Sequence, residues 1–457
     1  MYPEFDTNLH NQKMPVTIRL HIEGIEVEVV IEEIHRVLPN KRLVARGSVN
    51  DQEYLFKLFY GPAAKKHCAR EATGALNLKK TQVSTPELLL QGEAIRPPGH
   101  FLAFEYIKGA QPLEEPVDKE EFEEVIRVLA LMHEAGYYQS DMHLRNFIRG
   151  NDGVLQCIDG DSVRGGSTLA RQTCLANLTM LFVQLGPDHD HMFADGYKVY
   201  VAARNWQAST REKHAFFDEL TRARRDRIRR FAEKTVRDCT EFRVVKSFMG
   251  FQASQRLFHS EIEPFLRNPI GLVNAGVVLK QGNSATVVKV IINGEDYVIK
   301  RYRHKSWLRF FRRGFKVSRA RNSWTFGLSL KHMNIPTAEP MAFIEVGFGP
   351  FVRDAFLLTR ALEGPDLKDI AEKTGEIPVA LEDAVVSIFS KLGRVGFVHK
   401  DLKATNLLQH EGGVSLIDLD AMSFDLGEGH RRDVDRFLRN WDHLPKQRAH
   451  FEKRLSD

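Results

Sequence analysis

Asp401-Leu402-Lys403-Ala404-Thr405-Asn406, followed by Asp418-Leu419-Asp420, is the stretch on which the reading of this chain turns. It has an echo in Asp141-Met142-His143-Leu144-Arg145-Asn146 and Ile158-Asp159-Gly160-Asp161. In each copy an Asn stands five residues after the first Asp, and a second Asp stands 17 or 18 residues after it. That set suits phosphoryl transfer. One carboxylate takes the proton of an acceptor hydroxyl, while an amide oxygen and a second carboxylate hold the cations that neutralise the phosphates. One such spacing arises by chance; two in one chain call for a common cause.

Working back from the first copy, residues 16–59 read as strands, with Ile18, Leu20, Ile22, then Val27, Val29, Ile31 alternating and Asn50-Asp51 as a turn signal. Lys57 lies inside the last of them, in Leu55-Phe56-Lys57-Leu58-Phe59. A lone strand lysine is ordinarily an edge residue pointing to solvent; the functional reading is the lysine that clamps the phosphates of ATP. A helix over residues 63–80 places Glu71 to pair with it, the plain alternative being a solvated charge. Gly109 and Pro112 follow the apolar strand 101–107 as a hinge. Asp118, with Glu121 three residues on, opens a helix whose apolar stripe is Phe122, Val125, Ile126, Leu129 and Met132.

The second copy repeats the plan. Gln281-Gly282-Asn283-Ser284-Ala285 separates two β-branched runs as a phosphate-covering loop would, although any hairpin turn could contain Gly282. Lys300 takes the place of Lys57, residues 356–359 that of the hinge strand and 381–392 that of the helix before Asp401. The lysines are about 243 residues apart and the aspartates about 260, a domain-sized offset far longer than a solenoid period. The expectation is an α+β protein of two tandem protein-kinase-like domains, residues 1–242 and 243–457. Each has a small antiparallel-sheet lobe and a mainly helical lobe, the first with a degenerate glycine loop, the second with a short helical lobe.

With 457 residues, 43% of them hydrophobic and 27% charged, the composition is that of a globular protein and excludes a disordered or fibrous chain. The formal charge of +5 permits an anionic partner without demanding one, and no nucleic-acid partner is expected. Cys68, Cys157, Cys174 and Cys239 show no zinc or disulfide spacing, so reduced thiols and a cytoplasmic setting are expected. The acidic start Met1-Tyr2-Pro3-Glu4 carries no secretory pattern, and the longest apolar helix-like run, residues 175–185, is too short to span a bilayer. The arginines between Arg222 and Arg230 read most simply as a solvated helix face.

His399-Lys400-Asp401-Leu402-Lys403-Ala404-Thr405-Asn406 with Leu416-Ile417-Asp418-Leu419-Asp420-Ala421-Met422 resembles the lipopolysaccharide core kinases, the Kdo/WaaP and InaA-like branch of the kinase superfamily. Residues 324–342, with Asn334-Ile335-Pro336-Thr337, are similar to the same family. The likeness is specific over residues 277–441 and looser in the first half, where Ser140-Asp141 to Asn146 is the main match. It implies transfer of the ATP γ-phosphate to a heptose or Kdo hydroxyl of the Gram-negative inner core, at the cytoplasmic face of the inner membrane. Under it Asp141 and Asp401 are catalytic, Asn146, Asp159, Asn406 and Asp418 hold Mg²⁺, and Lys57, Glu71, Lys300 and Gly282 serve the nucleotide.

Three departures qualify this. Gln139 stands where the second copy has His399; no glycine-rich loop lies between Val37 and Ser48; and no acid occurs from Arg301 to Ala338 to pair with Lys300. The first domain therefore keeps the fuller charge set. The competing expectations are a tandem pseudokinase scaffold for envelope-glycan synthesis and another small-molecule phosphotransferase. The absence of Asp-Phe-Gly with Ala-Pro-Glu argues against an activation loop and for a glycan or small-molecule acceptor. Finally, Arg309, Arg312, Arg313 and Lys316 alternate with Trp307, Phe310, Phe311 and Phe315. That pattern suits peripheral association with an anionic inner-membrane surface or a lipid-linked sugar, the plain alternative being a small-lobe helix with solvated bases.

Overall fold

The computed structural model describes residues 15–455 except 23, 39–40, 283–284, 304–316, 349–350 and 426. Two compact units divide it, Met1–Leu185 with His189–Leu220, and Gly186–Asp188 with Thr221–Asp457. In each, an antiparallel sheet precedes a mainly helical part, which makes the class α+β.

The first unit opens with six strands, β1 (Val16–Ile22), β2 (Ile25–Leu38), β3 (Arg42–Val49), β4 (Gln52–Phe59), β5 (Leu88–Arg96) and β6 (Gly99–Glu105). Their order β1-β2-β3-β4-β6-β5 closes into a barrel, because β1 pairs with both β2 and β5. The sequence reading anticipates an antiparallel sheet; the closure it does not anticipate. The 14-residue β2 carries two register shifts, after Ile31 and after Ile34, and such bulges increase the coiling a closed sheet needs. Ile18, Leu20, Val29, Ile31, Leu43, Ala45, Phe56 and Leu58 fill the barrel. Strand alternation then sends Leu55, Lys57 and Phe59 outward, where helix α1 (Ala64–Lys79) packs through the small residues Ala64, Cys68, Ala72 and Ala75. Lys57 is thus neither a core residue nor an edge residue; it lies beneath a helix.

Helix α2 (Lys119–Glu134) starts as its sequence signals, with Asp118 Oδ1 accepting the Glu121 N–H at 2.8 Å and the predicted apolar stripe buried. Short strands Tyr137–Gln139 and Val163–Gly165, and Phe147–Arg149 and Leu155–Cys157, pair to frame two loops. Helices α3 (Arg171–Phe182), α4 (Asp190–Ala203) and the start of α5 (Thr210–Lys234) complete the unit.

The second unit has a seven-stranded antiparallel sheet built from β7 (Phe242–Ser247), β8 (Gly250–Gln255), β9 (Val277–Gln281), β10 (Ala285–Ile292), β11 (Glu295–Arg303), β12 (Pro340–Phe348) and β13 (Phe351–Arg360), in the order β7-β8-β12-β13-β11-β10-β9. One face, with Val288, Val290, Tyr297 and Ile299, packs on helices α6 (Glu263–Arg267) and α7 (Pro269–Ala275). The other, with Tyr302, Phe343 and Leu357, packs on Ala320, Trp324 and Leu328 of α8 (Arg319–His332). Around the lysine strand the two units agree: β4 lies between β3 and β6, and β11 between β10 and β13. Helices α9 (Leu367–Thr374), α10 (Val379–Val395), α11 (Gly429–Leu438) and α12 (Pro445–Leu455) enclose a core that includes Phe389, Phe437, Trp441 and Phe451.

Candidate active site

In the first unit Lys57 Nζ bonds Glu71 Oε1, and Glu71 Oε2 accepts the Asp161 N–H at 3.2 Å. Glu71 is 1% exposed, so this carboxylate is committed to its partners rather than solvated. Arg70, next to it on α1, pairs with Asp161 through Nε and Nη2. Arg42 at the start of β3 adds a second cation 3.7 Å from Glu71. The helix can sit this close because Gly74 faces Gly160: a Cβ on Gly74 would stand 1.8 Å from the Gly160 carbonyl oxygen. Asp159 itself is left-handed, φ 74°, and starts the short 3-10 turn Gly160–Ser162. Burial, and after it the Glu71 charge, raise its pKa above the usual carboxylate value against the pull of Lys57 and Arg42.

The loop before it is fixed by Asn146, whose Nδ2 donates to the Asp141 carbonyl at 2.8 Å and to Gln139 Oε1 at 3.1 Å. The amide nitrogen is thereby used within the loop, and the amide oxygen is the atom left for a cation. The Asp141 carboxylate points to solvent with His143 Nε2 at 2.8 Å. A buried relay supports the loop from behind. Tyr200 and Asn177 hold His133 at 2.6 and 3.0 Å, and Asn177 Nδ2 donates to the Gln139 carbonyl at 2.7 Å.

The second unit reproduces the loop. Asn406 Nδ2 donates to the Asp401 carbonyl at 2.8 Å, and Asp401 pairs with Lys403 at 2.7 Å. Asp418 is again left-handed, φ 62°, ahead of the 3-10 turn Leu419–Ala421. His399 Nε2 reaches the Ile417 carbonyl at 3.1 Å, and buried Asp433 of α11 accepts the His399 N–H at 2.6 Å. Gly282 lies in the exposed β9–β10 turn, where its N–H meets the Ala285 carbonyl at 2.9 Å. A Cβ there would meet only that oxygen, at 3.2 Å, so the turn itself does not demand glycine. Asn283 and Ser284 lie outside the described residues.

Lys300 is wired differently from Lys57. It bonds Asp418 directly and lies 3.5 Å from Asp420, which Arg319 Nη2 approaches to 2.5 Å. No acid between Arg301 and Ala338 pairs with Lys300; its acids come instead from the loop beyond Asp401, some 118 residues along the chain. Burial opposes ionisation of Asp418, yet Lys300 and then Arg319 bring its pKa below the usual carboxylate value, opposite in direction to Asp159. The Gln139 departure is also resolved by geometry, since its Nε2 donates to the Ile158 carbonyl at 2.7 Å, the bond His399 makes in the second unit. Residues the sequence reading passed over are Arg42, Asn177, Asp433 and the Gly74–Gly160 contact. For Asp433 the available signal was a carboxylate on the apolar side of α11; Gly74 offered none beyond a glycine in a helix.

Each unit thus sets a loop of Asp–Asn–Asp type beside a half-buried lysine that lies under a helix. Residues 279–449, which hold Gly282, Lys300, Asp401, Asn406 and Asp418, match the model of the Lipopolysaccharide kinase (Kdo/WaaP) family. No curated protein matches the chain. Among solved structures, one described as WaaP in complex with acyl carrier protein aligns with 47% of this chain and 88% of its own, at 18% identity and a TM-score of 0.34.

Proposed function

We propose that the chain is an ATP- and Mg²⁺-dependent kinase for a sugar hydroxyl of the lipopolysaccharide inner core, heptose or Kdo, built from two tandem kinase-like domains over residues 1–242 and 243–457. The observation that carries this is the loop geometry found twice, Asn146 on the Asp141 carbonyl and Asn406 on the Asp401 carbonyl, both at 2.8 Å. The donor set fits the group. Mg²⁺ keeps several waters and takes one or two carboxylates plus substrate phosphates, so a dedicated cluster of three acids is not required, and none occurs among the described residues. Asn146 with Asp159, and Asn406 with Asp418, would hold it; Lys57 braced by Glu71, and Lys300, would hold phosphates, with Gly282 in the covering turn. Bound Mg²⁺-ATP supplies the γ-phosphoryl group. Asp141, exposed, and Asp401, half-buried, would orient an acceptor hydroxyl and take its proton.

Purified protein with labelled ATP, Mg²⁺ and core oligosaccharide tests this. Transfer to the sugar supports it; absence of transfer, together with Asp141→Ala and Asp401→Ala behaving as the parent in cells, sinks it. The direct Lys300–Asp418 bond favours one competing element, a silent second domain in a scaffold. Mg²⁺-ATP binding that survives Asp418→Ala but not Asp159→Ala would identify that case.

We place the work at an anionic membrane surface. No helix among the described residues is long and apolar enough to cross a bilayer. Arg309, Arg312, Arg313 and Lys316 lie outside the described residues, but the ends of their segment, Arg303 and Val317, are exposed. Register supports the reading. Ser247 pairs with Gly250, Gly250 with Val346, Val346 with Asp354, and Asp354 with Arg303. The hairpin tip with Phe248 and Met249, 72% and 68% exposed, therefore lies at the same sheet end as Arg303.

A further inference from the structure

Glu71 does two jobs in the first unit: one oxygen holds Lys57, and the other holds the backbone of the turn that follows Asp159. The second unit has no acid on α8 to do either. Its turn is held to the helix instead by Asn322, whose Nδ2 donates to the Asp420 and Met422 carbonyls at 3.2 and 3.0 Å. That leaves the lysine. Lys300 is bonded to Asp418, a carboxylate that cation binding would claim. An ammonium at 16% side-chain exposure that loses its counter-charge pays heavily, so a second acid must stay in reach. Asp420 is that acid. It lies 3.5 Å from Lys300 Nζ at 9% exposure, and it is anchored by Arg319 from the first turn of α8. Both cations also lie over the ring of Tyr302, Lys300 at 5.3 Å and Arg319 at 4.8 Å, which fixes them on one side of the sheet.

We propose that Asp420 is a positioning residue that replaces the helix acid: it links α8, through Arg319, to Lys300, and keeps the ammonium at the phosphate site while Asp418 serves the cation. In the first unit the corresponding Asp161 carboxylate pairs with Arg70, while Glu71 has the lysine. The two units reach one charge arrangement by dividing the same work between different residues. The second unit is on this account a complete site rather than one missing a part. The inference rests on the kinase reading of that unit.

The test uses the full chain carrying Asp159→Ala, so that nucleotide binding reports the second site, with Mg²⁺-ATP as the probe in calorimetry. Asp420→Asn, which keeps shape and removes charge, is expected to weaken binding by roughly ten- to a hundredfold, as loss of a charged buried partner does. Lys300→Met should weaken it comparably, and the double variant should be no worse than the worse single one. That non-additivity is what a merely structural role would not produce. Asp420→Glu should recover part of the loss. Binding by Asp420→Asn within about twofold of the parent, or losses that simply add, overturns the proposal. If the Asp159→Ala parent binds no Mg²⁺-ATP, the kinase reading of the second unit falls. The linkage itself is then read by urea unfolding of the nucleotide-free single and double variants, where additive effects overturn it and non-additive ones uphold it.

Discussion

Gln139 and Ile158 are joined by a side-chain amide to carbonyl bond of 2.7 Å that stands where His399 bonds the Ile417 carbonyl at 3.1 Å. An amide and an imidazole thus perform one task, tying the start of the loop to the strand that delivers the second Asp. Gln139 also accepts from Asn146, so Gln139→Ala removes two bonds from a buried position. The expected cost is roughly 1–3 kcal/mol of stability in the first unit, with weakened nucleotide binding there. Gln139→His should keep the bond to Ile158 and cost less. Urea unfolding of the three proteins measures this, and equal stability of parent and Gln139→Ala would refute it.

If the proposed function holds, removing the second Asp of either loop should strip that unit of its metal-dependent step. Catalysis of this class is positioning and charge neutralisation, so Asp159→Ala and Asp418→Ala should each lower their own unit's transfer rate by orders of magnitude. A ligand at 100 times its Kd adds about 2.7 kcal/mol of stability, which makes thermal shift with Mg²⁺-ATP a direct readout. Loss of the shift in one variant alone assigns nucleotide binding to that unit.

Gly74 carries a prediction about packing. Its Cβ would meet the backbone of Gly160 at 1.8, 2.4 and 2.7 Å, and backbone cannot rotate away. Gly74→Ala must push α1 off the turn that follows Asp159, and with it Glu71 and Arg70. Overpacking of this kind costs roughly 1–3 kcal/mol. The expected result is a destabilised first unit that binds Mg²⁺-ATP poorly, against an unaffected second one; thermal shift in the Asp418→Ala background separates them, and an unchanged first site would count against the close approach.

These examples show what the sequence made legible. The strand pattern put Lys57 inside β4, the helix over residues 63–80 put Glu71 in place to pair with it, and the Asp118–Glu121 cap marked where α2 begins. Such features are local, because a strand or helix period fixes which side chains share a face. What stayed hidden was non-local. The partner of Lys300 is 118 residues away, Gln139 looks like a lost histidine until its bond is seen, and barrel closure depends on β1 reaching β5. A search for an acid near Lys300 along the chain could not have found one contributed by the loop after Asp401.

The pH dependence of the first unit should pass through His133. Burial lowers its pKa to about 4, and it is held neutral between Tyr200 and Asn177. The unfolded chain binds a proton near the ordinary histidine value of about 6.5, so between there and about 4 the unfolded state holds more protons than the native one. Stability therefore falls as pH drops through that window and is fully present above it. His133→Gln should flatten this slope by up to one proton; an identical slope in parent and variant, by urea unfolding at several pH values, would refute the assignment.

The last prediction concerns the membrane. Arg309, Arg312, Arg313 and Lys316 can each contribute about 1 kcal/mol near an anionic surface, screened beyond a Debye length of about 8 Å at physiological salt. Phe248 and Met249, exposed at the sheet end that holds Arg303, supply apolar side chains that gain by leaving water. Charge and apolar contact act at different ranges and can be separated. In a flotation assay, the parent should bind vesicles containing anionic lipid and lose them as salt rises. The fourfold Ala variant of the basic residues should lose binding at all salt concentrations, and Phe248→Ser with Met249→Ser should bind at low salt but dissociate earlier as salt increases. Equal recovery with neutral and anionic vesicles, or no loss in the fourfold variant, would remove the membrane from the account and leave those bases to the phosphates of a soluble acceptor.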